Sequence, residues 1–250
     1  MQEKNDNIPD VVLHIDKLFK AFGENRVLNG FSLHLKKGEN LVLMGKSGSG
    51  KSVMIKCLVG LLEPDSGTVE ILGQDIHKLN RKEMDNLRTE IGFLFQGSAL
   101  YDSMSVRENL EFPLRRHAKK LSQKEIDDLV MEALDNVGLK HTVDQMPGEL
   151  SGGMQRRIAL ARALILKPKI ILYDEPTTGL DPITAKEIIE LMRDVQRKYK
   201  TSSLIITHDI DCARVTSNRL ILLLDGINYA EGTFAELAAS EDPKIKAFFK

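Results

Sequence analysis

Leu41-Val42-Leu43-Met44-Gly45-Lys46-Ser47-Gly48-Ser49-Gly50-Lys51-Ser52 decides the fold, because a buried strand runs straight into a loop of distinctive chemistry. Leu41 to Met44 has no polar face, which is the pattern of a strand covered on both sides in a parallel sheet. The next eight residues fit G-x-x-x-x-G-K-[ST]. Residues 53–62 are apolar-rich and read as a helix, ended by Glu63-Pro64-Asp65-Ser66-Gly67. In such a strand, loop and helix, glycines let backbone N–H groups turn inward on phosphate oxygens, and the helix N-terminus adds partial positive charge. Gly45, Lys46, Ser47, Gly48, Ser49, Gly50, Lys51 and Ser52 are therefore candidate triphosphate ligands. Lys51 would reach the β- and γ-phosphates and the Ser52 hydroxyl would ligate Mg²⁺. The plain alternative is a surface turn, but four matched positions recur by chance in roughly one chain in a hundred of this length, and the flanking strand and helix lower that further.

Working outward, Phe31-Ser32-Leu33-His34-Leu35 alternates apolar and polar residues before the turn-like Lys36-Lys37-Gly38-Glu39-Asn40, which predicts a half-buried antiparallel strand. Residues 68–72 return to strand, and Ile170-Ile171-Leu172-Tyr173 and Leu204-Ile205-Ile206 read as further central strands. Strands alternating with helices make the core α/β. Residues 98–166 differ in kind. Their best-defined element opens with the capping box Ser122-Gln123-Lys124-Glu125, continues with Ile126, Leu129, Val130, Ala133, Leu134 and Val137 at helical spacing, and stops at Gly138. We read a helical lobe (98–166) inserted into an α/β core (1–97 and 167–250), all within one domain (1–250). Asp181-Pro182 opens another helix and Thr233-Phe234-Ala235-Glu236 a last one; there is no internal repeat.

The chain has 250 residues, 42% hydrophobic and 28% charged, with a net charge of -1. That balance argues against a protein whose main business is neutralising nucleic-acid phosphates. Cys57 and Cys212 form no metal-ligand spacing, so a reducing compartment is expected. Met1 to Asp10 lacks the basic segment and apolar run of a secretory signal. Stretches such as Leu220-Ile221-Leu222-Leu223-Leu224 fall far short of the ~20 apolar residues a spanning helix needs. A membrane role would borrow another chain's span.

Hydrolysis needs a second cluster, and Ile170-Ile171-Leu172-Tyr173-Asp174-Glu175 is an apolar strand ending in two carboxylates. Asp174 would bind Mg²⁺ and Glu175 would orient or deprotonate the attacking water; alone, such a pair reads equally well as a helix cap before Pro176. Leu150-Ser151-Gly152-Gly153-Met154-Gln155-Arg156-Arg157 reads as another anion site, a hydroxyl and glycine amides at the start of a helix read over 154–164; the plain alternative, an N-cap at Ser151 with flexible glycines, explains the helix start but not two such sites in one chain. This segment closely resembles the signature of ABC-transporter ATPases.

The resemblance extends from about Val12 to Glu231. It implies a P-loop NTPase (RecA-like) core with an N-terminal antiparallel β subdomain and an inserted α-helical subdomain. Gln96, after Gly92-Phe93-Leu94-Phe95, matches the glutamine loop, which in the family also meets the metal; Thr178-Gly179-Leu180-Asp181 matches the dimer-contact loop, and His208 the switch histidine. Phe22 fits the aromatic that stacks on adenine, with Phe19 as the alternative, and either could be core. The implied unit is a head-to-tail homodimer that sandwiches two ATP molecules with Mg²⁺ between the phosphate loop of one subunit and Ser151, Gly152 and Gly153 of the other. Integral membrane permease subunits would dock near the Gln96 loop, holding the chain peripherally on the cytoplasmic face of the inner membrane.

Met154, where glutamine is commonest in the family, the segment 97–106 with 109–114, and the tail 242–249 look like the ATPase of Mla/Mce-type phospholipid transporters. That likeness implies lipid cargo and a lipid-binding envelope protein in the same complex. The alternative is an amino-acid or other small-solute importer, since Tyr101, Met104 and Phe112 can equally fill the lobe's own core. Lys46 stands where many relatives carry proline, ahead of the crucial glycines. Soluble relatives acting on ribosomes carry two nucleotide domains and those acting on DNA a long coiled coil. This chain has neither, and no nucleic-acid partner is expected.

Overall fold

The computed structural model describes residues 10–46, 48–118 and 120–249. The antiparallel strands β1 (Val11–Phe22) and β2 (Asn25–Lys36) come first, with Phe31, Leu33 and Leu35 buried and Ser32 and His34 half-buried, as the alternation predicts. Next are β3 (Asn40–Gly45), α1 (Lys51–Leu58), β4 (Ser66–Ile71), β5 (Gln74–Asp75), α2 (Arg81–Thr89) and β6 (Ile91–Leu94). The middle of the chain is helical, with α3 (Val106–His117), α4 (Gln123–Asn136) and α5 (Gly152–Leu164). It returns to β7 (Ile170–Asp174), α6 (Pro182–Tyr199), β8 (Ser202–Thr207), α7 (Ile210–Thr216), β9 (Arg219–Leu224), β10 (Ile227–Gly232), α8 (Phe234–Ala238) and α9 (Pro243–Lys246).

Two sheets result. One is antiparallel, in the order β2-β1-β4-β5; the other has six strands in the order β10-β9-β3-β8-β7-β6, parallel except for the antiparallel β10 edge. β3 is buried at every residue, in keeping with an apolar run flanked by two strands and covered above and below. One cluster of buried side chains fills the space between the sheets around α1, and a second packs α6 and α7 on the other face of the parallel sheet. A third joins α3, α4 and α5 through Val106, Leu110, Val130, Leu134 and Ile158. The sheets are also joined by Arg219, whose guanidinium donates to Glu39 Oε1 at 2.7 Å, to the His34 carbonyl at 2.6 Å and to Glu231.

Several element boundaries differ from expectation for local reasons. α1 starts at Lys51 itself and stops at Leu58, because Gly60 adopts φ +67 and the Leu61 and Leu62 amides fold back on the Lys56 carbonyl. α5 begins at Gly152, with Ser151 as its cap, so both signature glycines lie inside its first turn. Beyond α8, the tail forms the short α9, capped by Asp242. Ser122 and Glu125 form the expected capping box.

Candidate functional site

The carboxyl ends of β3, β8, β7 and β6 lie side by side. Met44 is registered with Thr207, Ile206 with Asp174, and Tyr173 with Leu94. Loops leaving that edge therefore carry the 45–52 segment, His208, Glu175 and Gln96 to one rim of the sheet, where open α/β sheets bind ligands. Ser47 lies outside the described residues.

The phosphate loop closes on its own lysine. Lys51, 9% exposed, donates from Nζ to the Gly45 carbonyl at 2.6 Å and to the Lys46 carbonyl at 3.0 Å, and stands 4.0 Å from Glu175 Oε1. Burial draws its pKa down, while the charges of Glu175 and Asp174 draw it back up. Gly50 has φ +103, and a Cβ there would sit 2.9 Å from the Val27 carbonyl of β2, so only glycine fits. Ser49 Oγ is buried against Gly45, leaving no room for a Cβ there, and has no hydrogen-bond partner among the described residues. The Ser52 residue is exposed at the start of α1. Lys46 is exposed as well, and its contribution to the loop is its carbonyl.

Glu175 is held from three sides. Its Oε2 accepts from His208 Nδ1 at 2.8 Å, from Thr178 Oγ1 at 3.3 Å and from the His208 amide at 3.4 Å. The Nδ1 contact places the proton of a neutral His208 ring on that nitrogen. The Glu175 backbone adopts φ +50, uncommon outside glycine, and its amide bonds the Ile206 carbonyl at 2.8 Å. The residue is only 8% exposed. No helix starts at Pro176, so the acidic pair is no helix cap; the next helix is α6, capped by Asp181. Burial pushes the Asp174 carboxyl above its ordinary range, Glu175 adds to the effect, and Lys51 opposes it.

Gln96 is exposed in the turn after β6. Helix α5 secures that turn at both ends. Arg156 Nη1 donates to the Phe95 carbonyl at 2.6 Å, and Arg162 Nη2 to the Ala99 and Ser98 carbonyls at 2.7 and 3.2 Å. Fully buried Asn109 then ties down the following segment through the Tyr101, Met104 and Ser105 carbonyls. Beside the turn lies a cleft of about 510 Å³ lined by Phe93, Phe95, Tyr101, Phe112, Arg88 and Arg116. Tyr101, 44% exposed, thus lines an open cleft instead of filling the helical core.

Ser151, Gly152 and Gly153 gather elsewhere. A Cβ on Gly153 would collide with Thr184 Cγ2, and one on Gly152 would meet Leu180 at 3.8 Å, so the first turn of α5 abuts that of α6. Asp181 caps α6 through the Ile183 and Thr184 amides at 3.0 and 3.1 Å and accepts from Thr184 Oγ1 at 2.5 Å. The hydroxyl of exposed Ser151 bonds only the Met154 amide, at 3.2 Å, among the described residues. On the hairpin both aromatics are exposed, Phe19 at 42% and Phe22 at 51%, but the Phe19 ring lies over Gly30, 3.0 Å from where a Cβ would be. Phe22 is the freer of the two to stack.

Among the described residues no group of three or more His, Cys, Asp or Glu could hold a metal unaided. The Ser52 hydroxyl, the Asp174 carboxylate and Gln96 would offer Mg²⁺ the hard oxygen donors that it takes. Buried Lys51 at the start of α1, beside the glycine turn at Gly50, fits a triphosphate. Arg156, Arg162 and Thr184 escaped the reading from sequence, although Arg156 stood inside the signature segment.

Residues 28–178 match the family described as ABC transporter. The chain is 41% identical to the probable ribonucleotide transport ATP-binding protein mkl of Mycobacterium leprae, over 95% of this chain and 68% of that one. It is 36% identical to the intermembrane phospholipid transport system ATP-binding protein MlaF of Haemophilus influenzae, over 96% of this chain and 90% of that protein. Likeness to the methionine import ATP-binding protein MetN of Campylobacter jejuni is also 36%, over 95% and 75%. Among solved structures, the dimeric ATP-binding cassette MJ0796 in a post-hydrolysis state with ADP and Pi superposes with a TM-score of 0.80 at 34% identity, over 89% of this chain and 98% of that one.

Proposed function

This chain belongs to the ABC transporter family as an ATP-binding ATPase subunit, and from that premise we propose that it powers a phospholipid or related lipid transporter of a cell envelope. The working unit is a head-to-tail homodimer on permease subunits at the cytoplasmic face of the inner membrane, with a lipid-binding envelope protein in the same complex. Within each chain, 1–97 with 167–250 is the nucleotide core and 98–166 the helical lobe. What supports lipid cargo is likeness to MlaF over 90% of that protein's length, together with Met154 and the 97–106 segment. The similar likeness to MetN keeps an amino-acid importer as the second reading.

In this reading Phe22 stacks on the adenine. Lys51 exchanges its two loop carbonyls for phosphate oxygens, an exchange that a buried, poorly compensated ammonium favours. Glu175, held by His208 and Thr178, takes the proton of the water that attacks the γ-phosphorus as the bond to ADP breaks. His208 then faces the γ-phosphate and reports its loss. The partner's Ser151 hydroxyl and its Gly152 and Gly153 amides complete the cage, with Asp181 at the junction. Bound Mg²⁺ would supply charge neutralisation at the β- and γ-oxygens, held by Ser52, Asp174 and Gln96. The permease enters the cleft beside Gln96, among helices of this chain none of which, in the described residues, is long and apolar enough to cross a membrane.

Purification of the intact complex in mild detergent, with mass spectrometry of its proteins and lipids, tests the proposal. Integral membrane partners with enriched phospholipid are expected. Membrane partners with a bound amino acid and no lipid enrichment would favour the second reading, and ribosomes or soluble partners alone would end the transport reading.

A further inference from the structure

We propose that Arg156 is a positioning residue for ATP hydrolysis, a strut on helix α5 that holds the Gln96 turn and the Thr178 turn in fixed register with one another and thereby sets the geometry of Glu175. The proposal rests on the assignment of Glu175 as the general base.

The Arg156 residue is 4% exposed. Nη1 donates to the Phe95 carbonyl at 2.6 Å and Nη2 to the Thr178 carbonyl at 3.2 Å, while Nε has no partner among the described residues. No carboxylate lies within ion-pair distance of it among those residues. Burial alone, with no opposing charge to compensate, draws its pKa below the ordinary guanidinium value. A buried cation that meets only carbonyls is an inefficient way to fill space; methionine or leucine would fill it without desolvating a charge. The geometry shows a use for the planar fork. Two donors on one rigid plane fix the separation of two acceptors, which a lysine or an apolar chain does not do.

Both acceptors adjoin reactive groups. Phe95 immediately precedes Gln96, and Thr178 contacts Glu175 Oε2 through its own hydroxyl at 3.3 Å. Both segments also carry uncommon backbone. Ser98 and Ala99 sit consecutively at φ +61 and +50, and Glu175 at +50, conformations that persist only where surrounding contacts over-determine them. Arg162 secures the far end of the Gln96 turn but bonds nothing in the Thr178 turn. Arg156 spans both. A partner that displaces the Gln96 turn from the adjoining cleft therefore moves an acceptor of Arg156, and the shift passes through Thr178 to the catalytic carboxylate. The same helix begins at Ser151, so the signature turn shares the strut.

The test uses the ATPase assembled with its permease, comparing wild type, R156M, R156K and E175Q by steady-state ATP hydrolysis and thermal unfolding. R156M is expected to lower kcat at least tenfold, with KM for ATP changed less than threefold and an unfolding midpoint at or above that of wild type. R156K, which restores charge but not the fork, should recover part of the lost kcat. A wild-type kcat in R156M overturns the proposal. So does a loss in which kcat and KM worsen together, the midpoint falls by more than about 10 °C and lysine rescues nothing, because that pattern is simple loss of packing. If E175Q hydrolyses ATP normally, the premise fails; if E175Q is inactive and R156M is normal, only the strut fails.

Discussion

The contact between Gly153 and Thr184 makes a sharp test of why the signature turn contains glycine. A methyl group added at Gly153 would overlap Thr184 Cγ2, and Thr184 cannot simply rotate away, because its hydroxyl is bonded to Asp181 Oδ2 at 2.5 Å. Overpacking of this kind costs about 1–3 kcal/mol. Alanine recovers ~0.5–1 kcal/mol through its better helix propensity, since Gly153 lies within α5. The net expectation for G153A runs from neutral to a destabilisation of ~2.5 kcal/mol, which for a chain of this size lowers the unfolding midpoint by up to roughly 10 °C. Serine at 184 removes the offending methyl and keeps the hydroxyl for Asp181. In a T184S background the clash disappears and alanine should become neutral or stabilising, giving a coupling energy of about 1–3 kcal/mol in a double-mutant cycle. Denaturant unfolding of the four proteins measures it. Equal effects of G153A in both backgrounds, with coupling below about 0.3 kcal/mol, would refute the steric account. Glycine would then be there for its amide alone.

Glu175→Gln keeps the contacts with Thr178 and His208 within reach but removes the proton acceptor; phosphate release should fall about 10²–10⁴-fold with ATP binding retained, and ATP-dependent dimers should accumulate on size exclusion. Rapid continued hydrolysis would remove Glu175 from the catalytic role. Ser151→Arg fills an exposed turn that bonds only its own helix among the described residues, so ATP binding to a single subunit should survive while hydrolysis by the dimer collapses; a normal rate would count against a composite site. Asp174 has its carboxyl pushed up by burial, so its ionisation opposes folding as pH rises through the ordinary value of 3.8 and above. Asp174→Asn should therefore unfold at a higher temperature than wild type at pH 7 without nucleotide, with the gap closing below pH 4, while Mg²⁺-dependent turnover is lost. A lower midpoint at pH 7 would contradict the burial argument.

The motifs were legible where they record a demand on the local backbone. Gly50 must accept φ +103 against the Val27 carbonyl, and Asp181 with Pro182 must start a helix. Leu41 to Met44 must be apolar because neighbours cover both faces of β3. Each condition acts within a few residues and so leaves a pattern within a few residues. The ends of α1 and α5 were less legible. An apolar run does not reveal that Gly60 will reverse the chain, and a glycine pair after a candidate cap at Ser151 does not reveal that both glycines take helical geometry. Phe19 and Phe22 are alike on paper; only the Phe19 ring lying over Gly30 separates them.

Arg156 and Thr184 were illegible for a different reason, and it bears on how the site works. Arg156 meets acceptors 61 and 22 residues away, and Thr184 meets a glycine in another helix. Neither leaves a periodic or spaced trace, because neither serves its own segment. They serve the joint between the signature helix and the catalytic rim. Residues that touch nucleotide are confined by its fixed shape, and short motifs result. The residues that transmit force need only meet in three dimensions, and any donor able to span the gap will do. In the proposed function hydrolysis runs on the phosphate loop and Glu175, and a partner in the cleft would reach Glu175 through the contacts that join the Gln96 turn to the Thr178 turn. Of the side chains described, Arg156 alone donates to carbonyls of both turns from the helix that Ser151 caps. Loss of that one guanidinium should therefore slow hydrolysis itself while ATP binding stays close to normal, because the Gln96 and Thr178 turns no longer hold one register.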